Sequence, residues 1–146
     1  MLSTSQKGAL AEKVVETRII ECDAFPFLPS VSAGETDIIA EYRGNIYKIQ
    51  VKSRYPENGR LLVDTRRPSA KKRTYSSGAF DILAVVDLSS NRVAFIDRDT
   101  IPSERFRFFI TKDYNLQGKP AEYVPLMFDD FLDFRKAVER LTKHVA

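Results

Sequence analysis

The chain has 146 residues, 43% of them hydrophobic and 29% charged, with a net charge of +3 and a pI near 9.0, which bounds it to one domain, residues 1–146, with a core of its own. No apolar run reaches the length of a membrane span, and Met1 to Lys7 lack the apolar stretch of a signal peptide, so a cytoplasmic protein with no membrane partner is expected. A single cysteine, Cys22, excludes an internal disulfide and a cysteine-built zinc site, and the single histidine, His144, stands beside the C-terminus, so any metal must be held by oxygen, which favours magnesium or manganese.

Hydroxyls at Ser3, Thr4 and Ser5 offer a helix start, and Leu10, Val14, Val15, Ile19 and Cys22 recur at a period near 3.6, predicting an amphipathic helix over residues 9–22 with Glu12 at the edge of its buried face. Residues 25–29 carry two prolines and read as an edge strand. A small polar stretch, residues 30–35, leads to two apolar strands around Gly44 and Asn45. With Gly44-Asn45 as a two-residue hairpin loop, Asp37 faces Lys52, Ile39 faces Gln50, and Asp37, Gln50 and Lys52 share one face. Ile38, Ala40, Tyr42, Tyr47, Ile49 and Val51 then form an apolar face that another element must cover. An odd loop would reverse the parity and send Asp37 into the core. An acid beside an amide and an ammonium is what magnesium-dependent attack on a phosphodiester needs, although an Asp facing a Lys is equally explained as a cross-strand ion pair.

Residues 60–64 and 104–111 are predicted strands, the latter with Arg105 and Arg107 on its polar side; residues 80–87, the most apolar run, read as a strand buried on both faces, with residues 92–96 as its neighbour. Residues 128–141 are predicted to form one closing helix with a broad apolar stripe able to cover a sheet and to touch a second subunit. The element order is α/β, a central mixed sheet flanked by helices.

The positive charge is concentrated. Residues 52–75 carry eight basic side chains (Lys52, Arg54, Arg60, Arg66, Arg67, Lys71, Lys72 and Arg73) against Glu57 and Asp64, while the rest of the chain is slightly acidic. Such a block can be a solvated loop; directly after an acid-plus-lysine pair it reads as a phosphate-binding segment, with Arg60, Arg66, Arg67, Lys71, Lys72 and Arg73 as the candidate contacts.

Glu12 on the first helix, Asp37 on one strand and Gln50-Val51-Lys52 on the next resemble the PD-(D/E)XK nuclease superfamily, and within it the cyanobacterial, intron-encoded homing endonuclease branch, whose lysine motif also carries Gln. The resemblance covers residues 8–53, with residues 80–96 fitting later core strands. It implies a restriction-endonuclease-like core and a site-specific, metal-dependent DNA endonuclease acting on double-stranded DNA as a homodimer or homotetramer. It implies that Asp37, Glu12, Gln50 and Val51 hold Mg2+ or Mn2+, and that Lys52 orients the attacking water. Gln50 replaces the usual second carboxylate, which removes a charge and a possible base. Thr36 replaces the proline of the family's name, and Glu35 is a possible substitute ligand. A junction resolvase, a restriction-type nuclease, or a nucleic-acid-binding module that has lost the reaction are the alternatives.

Overall fold

The computed structural model describes residues 1–30, 36–66, 79–111, 118–121 and 123–143. Helix α1 (Thr4–Glu21) begins where the sequence offers hydroxyls: the Ser3 side chain accepts from the Gln6 amide and the Gln6 side chain accepts from the Ser3 amide, a reciprocal cap. Its buried line is Ala11, Val15 and Ile19. The predicted stripe is therefore rotated: small Ala11 lets the helix approach the sheet, and Leu10 stays 38% exposed.

Five strands form the central sheet in the order β1-β2-β3-β5-β6: β1 (Phe25–Phe27), β2 (Ile38–Tyr42), β3 (Asn45–Arg54), β5 (Ile82–Asp87) and β6 (Arg92–Asp97). All neighbours are antiparallel except β3 and β5, so the sheet is mixed. Strand β1 is an edge, as its proline requires. The hairpin loop, however, is Arg43-Gly44, with φ of 49° and 81°, and Tyr42 pairs with Asn45. The expected register is thus displaced by two residues: Ile39 faces Lys48 rather than Gln50, and Glu41 faces Ile46 rather than Lys48. Parity survives because the loop is still even. The slide seats Tyr47 opposite small Ala40, and both Tyr42 and Tyr47 meet the ring of Phe134 edge-on at 5.8 and 6.4 Å.

Both faces of the sheet are covered. On one, α1 and α2 (Phe134–Lys143) bury Ile38, Ala40, Ile49, Ala84 and Phe95. On the other, a second sheet packs against Leu83, Val85, Ala94 and Ile96. It consists of β4 (Arg60–Asp64), β7 (Arg105–Phe109) and the short β8 (Leu126–Met127), joined in that order. Strand β5 is buried at every position because it lies between the two layers. The face expected to carry only chemistry is therefore mostly core.

The single closing helix predicted over residues 128–141 is two pieces, a 3-10 turn (Phe128–Phe131) and α2. Asp133 separates them, its carboxylate accepting from the Arg135 amide at 2.9 Å in the manner of a helix N-cap. Phe128, Phe131 and Phe134 are all buried within the chain, against Phe108 and Phe95. The aromatic stripe is consumed internally; it leaves Leu132 exposed. No helix of the described residues is long and apolar enough to cross a membrane.

Candidate active site

The two strands of the hairpin part at Asp37. Its amide still donates to the Ile49 carbonyl at 2.9 Å, but β2 ends there while β3 runs on for five more residues, and the Asp37 carboxylate accepts the next inward-facing amide, that of Val51, at 2.9 Å. The carboxylate thus closes the ladder that the parting strands leave open. In the observed register Asp37 lies opposite Gln50, not Lys52. Gln50 and Lys52 share a face of β3 with Leu83 and Val85 of β5, their lateral partners, and Val51 points to the helix side, where it packs against the first core.

Burial pushes the half-buried Asp37 carboxyl above its ordinary range, opposed by the Val51 amide and by the charge of Lys52. Burial also raises Glu12, reinforced by the negative charges of Asp37 and Glu16, while Lys13 opposes. Two partly desolvated carboxylates thus lie near one another, the charge of Asp37 bearing on Glu12.

Gln50 is 7% exposed, and its Oε1 is buried with no hydrogen-bond partner among the described residues. A buried acceptor without a donor is uncommon and needs an explanation. A hard cation held by oxygen supplies one: Asp37, Glu12 and the neutral Gln50 oxygen are a donor set suited to magnesium or manganese. The described residues contain no group of three His, Cys, Asp or Glu side chains able to hold a metal.

Around Asp37 the structure sets the Val51 amide in a hydrogen bond, Gln50 opposite in register, Lys52 near enough for its charge to act on Asp37, and Glu12 near enough to feel the charge of Asp37. Arg67, Lys71, Lys72, Arg73 and Glu35 lie outside the described residues. Arg66, one of the candidate phosphate contacts, grips Asp64 through two nitrogens, at 3.0 and 2.8 Å, and holds that carboxyl well below the usual range. Two adjoining clefts, of about 370 and 490 Å³, lead away from Lys52. Lys7, at the start of α1, lines the first with Lys52, and its ammonium lies over the Tyr55 ring at 5.2 Å, a placement that no periodic pattern in the sequence signals. Thr36 donates to the Ala79 carbonyl at 3.0 Å, tying the residue before Asp37 to the far end of the basic segment.

No protein-family model matches the chain, and no curated protein matches it in sequence. Among solved structures it is similar to a bacterial homing endonuclease, I-Ssp6803I, with a TM-score of 0.70 over 99% of this chain and 97% of that one, at 19% sequence identity. At that identity the likeness is one of fold, and it extends from end to end.

Proposed function

We propose that this chain, whose fold is that of a bacterial homing endonuclease, is a divalent-metal-dependent, site-specific DNA endonuclease of the PD-(D/E)XK type. The observation that carries the reading is the orphaned Gln50 Oε1, buried beside Asp37 where a ligand, rather than a hydrogen bond, accounts for it. Asp37, Glu12, Gln50 and the carbonyl of Val51 would hold Mg2+ or Mn2+, which when bound supplies Lewis-acid stabilisation of charge on the scissile phosphate. Lys52 places an ammonium next to Asp37, where it orients the attacking water and offsets charge at the phosphate. Asp37 keeps the Val51 amide engaged and so holds the strand carrying Gln50 and Lys52 in line. One such site cuts one strand, so a double-strand break requires a homodimer or homotetramer.

The test is cleavage of a duplex genomic library with magnesium by the unmodified protein and by Asp37→Ala and Lys52→Ala. Cutting by the first and not by the variants supports the reading. Unchanged cutting in either variant sinks the mechanism. The missing third acid favours a second reading, a DNA-binding module without activity, and binding with no cutting by the unmodified protein would establish it. Cutting confined to branched substrates would make the protein a junction resolvase.

A further inference from the structure

Most arginines among the described residues hold a carboxylate or an aromatic ring, and those that do not are gathered in one place. Among the described residues, Arg18, Arg66, Arg92, Arg98, Arg105, Arg135 and Arg140 each hold a carboxylate, and Arg43 lies over Tyr42. Arg54, Arg60 and Arg107 have no such partner among the described residues, and all three line the same cleft, the larger of the two beyond Lys52.

That cleft is formed by the end of β3, β4 and β7. Four guanidinium groups, those of Arg54, Arg60, Arg105 and Arg107, face two carboxylates, Glu57 and Asp64. Asp64 is already neutralised by Arg66 and by Arg105 at 3.5 Å, so the unpaired groups dominate the local field. Leu62 lies opposite Arg107 on the neighbouring strand, and it and Tyr55 are each about half exposed, giving an apolar floor between the charges. The cleft shares the walls Arg54, Tyr55, Leu62 and Val63 with the smaller one that contains Lys52, so the two are one continuous groove.

Three unpaired, planar cations along a groove that starts at the candidate site have the chemistry for backbone phosphates. We infer that Arg54, Arg60 and Arg107 bind the backbone phosphates of the DNA strand leading away from Lys52, forming a contact track on β3, β4 and β7 that is separate from the basic stretch after Asp64. The inference rests on the nuclease reading. It also assigns Arg66 to structure, because its charge is spent on Asp64.

The experiment is the salt dependence of duplex DNA binding, measured by fluorescence anisotropy in calcium so that no cutting intervenes. Each phosphate contact contributes about 0.9 to the slope of log K against log salt concentration. The triple variant Arg54→Ala, Arg60→Ala, Arg107→Ala is expected to lose about 2.7 from the slope, by the same principle applied three times. A control triple, Arg18→Ala, Arg98→Ala, Arg135→Ala, removes equal charge from paired positions and is expected to keep the wild-type slope. Circular dichroism checks folding; single Arg→Gln variants, each expected to lose about 0.9, replace the triple if it does not fold. An unchanged slope in a folded variant, or an equal loss in the control, overturns the inference while the nuclease reading stands. A wild-type protein that does not bind duplex DNA overturns both.

Discussion

Replacing Gln50 by methionine separates what this side chain does for the fold from what it does for the site. Methionine keeps the length and unbranched shape of glutamine but removes the carbonyl oxygen, and a buried acceptor with no donor costs about 1–3 kcal/mol. Taking the low end, to allow for contacts of the amide nitrogen, the metal-free variant is expected to be more stable by about 1 kcal/mol, which for a chain of this size raises Tm by roughly 2–4 °C. Magnesium should reverse the order. At a concentration a hundredfold above its dissociation constant, a ligand bound only by the native state adds about 2.7 kcal/mol. The wild type gains that, and the variant, lacking one ligand, gains little. Thermal melts in EDTA and in magnesium, with a cleavage assay alongside, measure all three quantities. A variant that melts below the wild type in EDTA, or gains as much from magnesium, refutes the reasoning.

Other expectations concern the frame around the site. Phe134 is fully buried and meets Tyr42, Tyr47 and Phe95 edge-on, so Phe134→Ala should cost about 3–5 kcal/mol in a urea melt; a loss below 1 kcal/mol would show that α2 is not docked as described. Arg140 binds the fully buried Asp97 at 2.6 Å and the Phe95 carbonyl at 3.1 Å, so Arg140→Ala leaves a buried charge and should cost about 3 kcal/mol or more, whereas Asp97→Asn with Arg140→Ala together should cost less than the two losses added. Burial opposes the charge of Asp87, yet the Ser89 amide and hydroxyl and the Ser90 hydroxyl hold its carboxyl below the ordinary range. A depressed folded value means stability that is complete above the unfolded value, about 4, and is lost as pH falls through the folded one. Asp87→Asn should therefore flatten the decline of Tm below about pH 4, and an unchanged acid limb would count against the bond network.

The apolar strands were legible because their patterns are local. Strand β4 matches its expected span, and β5 and β6 follow from continuous hydrophobic runs that two covering layers impose. The second sheet was not legible as a sheet, because β4 and β7 pair across some 40 residues of chain and β8 offers only two. The turn was misplaced for a different reason. Gly44-Asn45 supplies two residues tolerant of positive φ, whereas Arg43-Gly44 forces an arginine there, and tertiary packing of the tyrosines against Phe134 outweighs that local cost. The candidate site residues lie on two adjacent strands and one helix turn, so a register error of two left Asp37, Gln50 and Lys52 on one face. Which arginines are already paired could not be read, since pairing depends on distant carboxylates.

Position 36 has a consequence beyond its own bond. A proline there would fix the backbone before Asp37 but offer no donor; threonine gives up that rigidity and uses its hydroxyl to clasp the Ala79 carbonyl. Two segments 43 residues apart in the chain, the one entering β2 and the one entering β5, are thereby joined one residue from Asp37. Thr36→Val would remove that bond while keeping the side chain's shape, so the position of Asp37 is expected to depend on a hydroxyl rather than on a ring.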